Sequence, residues 1–203
     1  RDLIARFSND LLIGKKIKSG ELRKRAVDLE PEWKCPEQFT NTMILMENFT
    51  MELLEPVENV GSRVVLQLHG GGYIATMKNA YRLFAALYSE LGGNCRVLTI
   101  DYRVAPEHPY PAALEDTIAA YHWLLEQGYP AEKIVVAGDS AGGGLALALC
   151  LWLKNHKEPL PSGVIAMSPW TDLTISGESV ETNFEKDPLF GKTRDSMLYN
   201  KDY

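Results

Sequence analysis

The stretch Gly138-Asp139-Ser140-Ala141-Gly142-Gly143 lies between two mainly apolar runs and decides how this sequence is interpreted. The run Lys133–Ala137 precedes it and the run Leu145–Leu153 follows it, a pattern that predicts a strand, a sharp turn and a helix. Glycines near both ends of the turn carry no Cβ, so the chain can reverse tightly and hold one serine above the end of the strand. This arrangement is typical of a nucleophile elbow, and it makes Ser140 the candidate nucleophile.

A glycine-rich stretch, His69-Gly70-Gly71-Gly72-Tyr73, follows the apolar strand predicted at Val64–Leu68. Acyl transfer produces a negatively charged oxygen, which backbone N–H groups held at about 3 Å stabilise. Successive glycines let the backbone present such donors without side-chain clashes. A flexible loop without a catalytic role is the alternative, but the position after a strand and upstream of the elbow favours anion binding. We therefore predict an oxyanion hole formed by the amides of Gly71, Gly72 and Ala141.

The remainder of the sequence alternates between strand and helix patterns, which is typical of a parallel sheet covered by helices on both faces. An amphipathic helix is predicted near the start, within residues 3–12. In open α/β sheets the active site lies at the carboxyl ends of the strands, where the glycine loop and Ser140 are both expected. The later predicted elements are one or two strands within Met43–Leu54, strand Val64–Leu68, helix Tyr81–Leu91, strand Arg96–Ile100, helix Ala112–Gln127, strand Lys133–Ala137, helix Ala141–Asn155 and strand Gly163–Met167.

Four motifs together resemble the hormone-sensitive-lipase-like esterases of the α/β-hydrolase superfamily. They are His69–Gly72, Asp101–Ala113, Gly138–Gly142 and Ser168–Asp172, and they occur in the order and spacing of that family. The resemblance implies an α/β-hydrolase fold, with a mostly parallel twisted sheet, helices on both faces and a helical cap.

The resemblance also implies a division of the chain. Residues 1–203 would form a single but incomplete domain, in which residues 1–40 are an N-terminal helical cap segment, residues 41–178 the sheet core and residues 179–203 the start of a second cap segment. The family carries its catalytic acid and histidine well downstream of the serine. We therefore expect these two residues, and the last strands and helices of the fold, beyond Tyr203.

By resemblance, the activity is that of a serine carboxylesterase that hydrolyses small or short-chain acyl esters through an acyl-enzyme intermediate. The resemblance assigns His69, together with Gly70 and Asp139, to a supporting motif. Asp139 is interpreted as a turn residue rather than an acid catalyst. Tyr73 and Trp170 are candidates for a substrate pocket.

Two alternatives remain open at this point. One is a catalytically inactive ligand-binding homologue, since the plant gibberellin receptors resemble this family and lack the triad histidine. The other is an amide hydrolase of the arylformamidase type, although such enzymes usually carry tryptophan where this chain has Gly72-Tyr73. A histidine at the family position after Tyr203 would favour the esterase.

Several other ionisable residues are interpreted as structural. We expect Asp101 to pair with Arg103, and Asp116 to act as a helix cap or an ion-pair partner. His122 is expected on a solvated or half-buried helix face, and His156 at a helix C-terminus, where a cationic side chain is favourable.

Composition places limits on the partners and the compartment. A net charge of −6 argues against a nucleic-acid partner, and the longest apolar run, Leu145–Leu153, is too short to span a bilayer. Three dispersed cysteines lack metal-ligand spacing and indicate reduced thiols, so we expect a cytoplasmic protein. No metal or cofactor is predicted, the expected partner is a small ester, and a homodimer is left open.

Overall fold

The computed structural model describes residues 30–187 of the chain. The helix predicted within residues 3–12 lies outside the described residues, as does the last part of the predicted cap segment 179–203.

Within the described residues the chain forms one six-stranded sheet with helices packed against it. The strands are β1 (Phe39–Leu45), β2 (Thr50–Pro56), β3 (Val64–Leu68), β4 (Arg96–Asp101), β5 (Ile134–Asp139) and β6 (Gly163–Met167). The helices are α1 (Asn79–Leu91), α2 (Ala112–Glu126), α3 (Ser140–His156) and α4 (Glu178–Thr182), with short 3-10 turns at Ala131–Lys133 and Phe184–Lys186.

The strand order is β1-β2-β4-β3-β5-β6, and its last four strands run parallel to one another. The hairpin β1–β2 adds two antiparallel strands at one edge, through the antiparallel pairing of β2 with β4. Leu68 at the end of β3 is level with Ile100 in β4 and with Gly138 in β5. The carboxyl ends of the three central strands therefore lie side by side, and the predicted mostly parallel sheet is confirmed.

Alternating side chains of the central strands fill two separate cores, one on each face of the sheet. Leu66 and Leu98 belong to the larger core, which includes side chains of α2 and α3. Val65 and Val97 belong to the smaller core, which includes side chains of α1. All five residues of β3 are buried, as expected of a parallel strand covered on both faces.

The sequence located the elements to within a few residues, and the differences have local causes. The pattern in Met43–Leu54 is a hairpin whose first strand begins at Phe39, so the predicted cap boundary at residue 40 falls inside a strand. Helix α1 begins at Asn79 rather than at Tyr81. The Asn79 amide donates to the Glu30 carboxylate (3.0 Å), which satisfies an N–H group that a helix start otherwise leaves without an acceptor.

Candidate active site

Ser140 occupies a strained turn between β5 and α3. Its φ is 50°, in the left-handed region that a residue with a side chain rarely adopts. A Cβ on Gly138 would lie 2.3 Å from the carbonyl oxygen of Gly142, so the reversal leaves no room for a side chain there. The elbow predicted from the sequence is therefore present, with its serine at the first position of α3.

The first turn of α3 packs directly against the end of β3. A Cβ on Gly142 would lie 2.2 Å from the Leu68 carbonyl oxygen and 2.6 Å from that of His69. Only glycine allows this approach, and it brings Ser140 and Ala141 beside the loop that follows β3.

The backbone of the glycine loop adopts positive φ angles, which are strained in residues that carry a side chain. Gly71 and Gly72 have φ values of 120° and 63°, and Tyr73 follows at 59°. The Gly71 carbonyl accepts hydrogen bonds from the amides of Ile74 and Ala75, which holds the loop in a tight turn.

The three glycine amides differ in their partners. The buried Gly70 amide donates to the Tyr81 hydroxyl (2.7 Å) and to Asp139 Oδ1 (3.1 Å). Among the described residues, the amides of Gly71 and Gly72 have no acceptor, and both residues are only partly buried. Together with the amide of Ala141 in the first turn of α3, they can donate to an anionic oxygen placed between the loop and the elbow.

His69 is fully buried beneath the loop. Its ring stacks on that of Tyr102 with the centroids 4.0 Å apart, and its Nδ1 is 2.8 Å from the Gly70 carbonyl oxygen. Its Nε2 lies 3.7 Å from Asp101 Oδ1, and the Tyr102 hydroxyl donates to the His69 carbonyl oxygen (2.6 Å). Burial lowers the pKa of His69 against the opposing effects of the Gly70 carbonyl and Asp101. A neutral, enclosed imidazole fits a supporting role and not that of a base for Ser140.

The other three histidines of the described residues are also engaged or distant. His122 Nε2 is 2.6 Å from a Glu158 carboxylate oxygen, and His156 Nδ1 is 2.8 Å from the Trp152 carbonyl oxygen at the end of α3. These contacts confirm a half-buried helix position for His122 and a C-terminal cap for His156. His108 is exposed on the loop before α2. None of the four histidines bonds to Ser140 within residues 30–187.

The predicted pair between Asp101 and Arg103 is wrong. Side chains alternate between the two faces of the sheet along β4, so Asp101 lies on the same face as Val97, which packs against α1. Its carboxylate accepts a hydrogen bond from the Met77 amide (2.8 Å). Arg103 instead binds Asp116 near the start of α2, with Nη2 to Oδ1 at 2.7 Å, and so ties the end of β4 to the opposite side of the sheet. Asp116, for which a helix cap or an ion pair was predicted, is thus the ion-pair partner of Arg103.

Tyr73 and Trp170 lie against each other, with ring centroids 6.1 Å apart. Tyr73 also lines an apolar cavity of about 170 Å³, whose wall includes Leu145 and Leu173. Burial raises the pKa of Tyr73 to about 12. Its hydroxyl is therefore neutral at ordinary pH, as suits a side chain that lines an apolar cavity.

The loop that carries Trp170 is organised by Asp172. This carboxylate accepts hydrogen bonds from the backbone amides and the side-chain hydroxyls of Thr174 and Ser176, and these bonds hold its pKa well below the ordinary value. The Trp170 indole N–H donates to the Asp172 carbonyl oxygen (3.1 Å), and the Trp170 amide donates to the Ser140 carbonyl oxygen (2.8 Å). The loop after β6 is thereby fastened to the elbow.

Two negative findings concern residues 30–187. Residues 30–187 contain no cluster of three or more histidine, cysteine or carboxylate side chains arranged to hold a metal ion. In the same part of the chain, no helix combines the length and apolar character needed to cross a bilayer.

Comparison with known proteins places this geometry in a family. The family profile described as the alpha/beta hydrolase fold matches residues 65–203. The chain belongs to the α/β-hydrolase family. This α/β-hydrolase is 35% identical over 178 residues to an acetyl-hydrolase of Streptomyces hygroscopicus, covering 85% of the chain and 58% of that protein. It is 41% identical over 130 residues to an esterase of Acinetobacter venetianus, covering 63% of the chain and 42% of that protein.

A solved structure agrees with these relatives. The crystal structure of an esterase from the bacterial hormone-sensitive lipase family matches with a TM-score of 0.72 and 34% identity, covering 92% of this chain and 67% of that one. The resemblance to hormone-sensitive-lipase-like esterases is confirmed. The chain spans about half the length of the curated relatives described above.

The sequence did not reveal the contacts that support the site. Tyr81 and Tyr102 bond to the glycine loop from α1 and from the segment after β4, and neither lies in a pattern that predicts such a contact. Asp139 was interpreted as a turn residue, whereas its carboxylate reaches the loop after β3. No local signal in the sequence indicates this contact, because an aspartate directly before a helix ordinarily caps that helix.

Proposed function

We propose that the natural protein containing this chain is a serine carboxylesterase in which Ser140 is the nucleophile. One observation carries the proposal: the close packing of Gly142 on Leu68 holds a serine in a left-handed conformation beside a loop whose Gly71 and Gly72 amides have no acceptor within residues 30–187. A turn without a catalytic role would not require both features at the same end of the sheet.

The proposed reaction proceeds in two steps. Ser140 Oγ attacks the carbonyl carbon of an ester while a base takes its proton, and the developing oxyanion accepts hydrogen bonds from Gly71, Gly72 and Ala141. The tetrahedral intermediate then expels the alcohol, which receives the proton, and an acyl-enzyme remains. Water attacks the acyl-enzyme in the same way and releases the carboxylic acid.

The base and its orienting carboxylate are proposed to lie outside the described residues. In support, the histidines of residues 30–187 have other partners or lie elsewhere, and the curated relatives extend well beyond the matched region. Residues 1–40 and 179–203 are proposed to form the cap over the site, although the first strand already begins at Phe39. A small-molecule ester is the proposed partner.

Short acyl groups are the proposed substrates. One relative is named an acetyl-hydrolase, and the apolar cavity beside Tyr73, at about 170 Å³, suits a small apolar group better than a long chain. A capped site of this kind takes up one dissolved substrate at a time.

The proposal is tested with a series of nitrophenyl esters from acetate to palmitate. The full natural protein is expected to hydrolyse the short esters fastest. Ser140→Ala, which fits the tight elbow, should lower the rate by several orders of magnitude without unfolding the protein. A rate that does not change in Ser140→Ala would exclude Ser140 as the nucleophile. A maximum at palmitate would exclude the short-chain preference, and no hydrolysis of any ester would favour a ligand-binding homologue.

A further inference from the structure

Asp139 stands at a position where aspartate usually has a local role. It is the N-cap residue of α3, with extended backbone angles of φ −120° and ψ 153°. An N-cap aspartate ordinarily accepts a hydrogen bond from an amide in the first turn of its own helix. The Asp139 side chain makes no such bond.

Both carboxylate oxygens of Asp139 are directed at the oxyanion loop and its neighbour instead. Oδ1 accepts the Gly70 amide at 3.1 Å, and Oδ2 accepts the Tyr81 hydroxyl at 3.3 Å. The Tyr81 hydroxyl in turn accepts the same Gly70 amide at 2.7 Å. The three groups form a closed triangle that joins β5, the loop after β3 and the first turn of α1.

The fit around Gly70 leaves no space for a side chain. A Cβ on Gly70 would lie 2.5 Å from Asp139 Oδ2, so the carboxylate and the loop backbone are in direct contact. The triangle therefore anchors the peptide unit that directly precedes the amides of Gly71 and Gly72.

We propose that Asp139 is a positioning residue for the oxyanion hole, with Tyr81 as its second anchor. By holding the Gly70 amide, Asp139 sets the distance between the amides of Gly71 and Gly72 and the oxygen that develops on the substrate of Ser140. The inference rests on the proposed function for its catalytic consequence, but the contact itself can be measured without turnover.

The electrostatics separate positioning from charge effects. A negative charge beside a developing oxyanion disfavours the transition state, so Asp139 does not help through its charge. A neutral side chain of the same shape that still accepts the Gly70 amide should therefore retain most of the function, although its NH2 group replaces the oxygen that accepts the Tyr81 hydroxyl. Asp139→Asn keeps an oxygen that accepts the Gly70 amide, whereas Asp139→Ala removes it.

The experiment uses the full natural protein and four variants. Asp139→Ala is expected to lower kcat by about 10²-fold at a nearly unchanged KM, because a small displacement of positioned groups has an effect of that order. Asp139→Asn is expected to retain most of the activity. Tyr81→Phe removes one of two acceptors and is expected to have a smaller effect on kcat. Glu132→Ala, which removes an exposed carboxylate before β5, is the matched control and should leave kcat unchanged.

Hydrogen–deuterium exchange of the peptide that spans residues 69–73 provides the readout that does not depend on turnover. Within this peptide the Gly70 amide should exchange slowly in the natural protein and in Asp139→Asn and faster in Asp139→Ala, whereas the amides of Gly71 and Gly72, which have no acceptor among the described residues, should exchange quickly in all three. If Asp139→Ala does not fold, Asp139→Ser, which keeps a residue favoured at a helix N-cap but is too short to reach the Gly70 amide, replaces it.

Each outcome is decisive. An Asp139→Ala protein with unchanged kcat and unchanged exchange would overturn the positioning role, as would an Asp139→Asn protein as impaired as Asp139→Ala. A natural protein that hydrolyses no ester would contradict the proposed function, and the exchange rates alone would then decide whether Asp139 holds the loop.

Discussion

At the scale of single residues, the site depends on backbone conformations that are costly in isolation. A left-handed φ at a residue with a side chain, as at Ser140 and Tyr73, costs on the order of 1–3 kcal/mol. Such conformations persist only where the surroundings leave no alternative. Here the close contacts at Gly138 and Gly142 exclude a relaxed turn, so the partly buried serine is held in this conformation at the end of β5.

Gly71→Ala tests the oxyanion loop at this scale. Gly71 has a φ of 120°, and a Cβ there would lie 2.7 Å from the Ala75 Cβ, so the loop must shift. We expect kcat for a short nitrophenyl ester to fall by about 10²–10³-fold, the usual effect of losing an oxyanion donor. Gly128→Ala is the matched control, because Gly128 also has a positive φ (86°) but open space around it.

The two glycine variants separate strain from catalysis. Gly128→Ala should cost about 1–2 kcal/mol of stability, as expected of a left-handed residue, and leave kcat unchanged. Equal kcat values for Gly71→Ala and the natural protein would argue against a role of this loop in anion binding.

Residues that repeat a local pattern were predictable, whereas residues that act across the sheet were not. Ser140 and the glycines stand in motifs whose backbone demands can be inferred from sequence alone. Arg103 binds Asp116 rather than Asp101 because the two carboxylates lie on opposite faces of the sheet. The face on which Asp101 lies depends on how side chains alternate along β4. A local sequence pattern does not indicate which face of the sheet a residue will contact when it lies just beyond the end of a strand.

At the scale of elements, the packing of α3 on β3 brings Ser140 to the glycine loop. Gly142→Ala would place a methyl group 2.2 Å from the Leu68 carbonyl oxygen, which would force the helix and the strand apart. We expect a loss of about 1–3 kcal/mol in the free energy of unfolding, together with a fall in kcat. Urea unfolding measures the first quantity and ester hydrolysis the second.

Gly163→Ala is the control for this packing. A Cβ on Gly163, at the start of β6, meets nothing within 4 Å, and alanine is favoured over glycine in a strand by roughly 0.5–1 kcal/mol. Its stability should therefore be unchanged or slightly higher. A Gly142→Ala protein as stable as Gly163→Ala would contradict the close approach of α3 to β3.

A buried ion pair joins β2 to α1 and gives the fold a pH dependence. The Arg82 guanidinium donates to both oxygens of the nearly buried Glu52 carboxylate (2.8 and 2.5 Å). The same carboxylate also accepts a hydrogen bond from the side-chain amide of Asn41 (2.9 Å). Burial alone raises the pKa of Glu52, but the hydrogen bonds from Arg82 and Asn41 outweigh it and lower the pKa. The pair therefore stabilises the fold above the ordinary glutamate pKa, and this contribution is lost as the pH falls through the lowered pKa.

Glu52→Gln should make the protein less stable by about 1.5–3 kcal/mol near pH 7, and the difference should shrink in acid. Urea unfolding at several pH values measures both effects. Glu55→Gln is the matched control on the same strand, because the Glu55–Arg96 pair is about one-third exposed on both sides and should contribute at most about 1 kcal/mol. A Glu52→Gln effect that does not depend on pH would contradict the assigned pair.

At the scale of the whole molecule, the alternation of helices and strands in the sequence was enough to predict the layered α/β architecture. The strand order could not be derived from the pattern, because β3 and β5 are neighbours in the sheet although α1, β4 and α2 lie between them in the sequence. The polar pair inside the sheet was equally unforeseen: Gln67 donates to the Tyr81 carbonyl oxygen (3.0 Å) and accepts from Thr99 (3.4 Å). Such contacts require knowledge of which strands are neighbours.

The free edge of the sheet leads to a prediction about association. Within the described residues β6 pairs with β5 alone, and Ile165 and Met167 are 43% and 39% exposed. An apolar edge strand of this kind promotes aggregation. We expect a protein made only of residues 1–203 to self-associate, and Ile165→Lys to reduce that association in analytical ultracentrifugation. Met43→Lys, on the opposite edge strand, is the control. Equal association of both variants would exclude β6 as the contact.

Labelling with a fluorophosphonate probe tests the central claim, that Ser140 is an activated nucleophile, most directly. The probe requires both a reactive hydroxyl and an oxyanion hole, and mass spectrometry of the peptides locates the modified residue. We predict rapid, stoichiometric labelling of the full natural protein at Ser140, lost in Ser140→Ala, and slow labelling of residues 1–203 alone, because no base contacts Ser140 in the described region. Failure of the full natural protein to label, or labelling at another serine, would contradict the account.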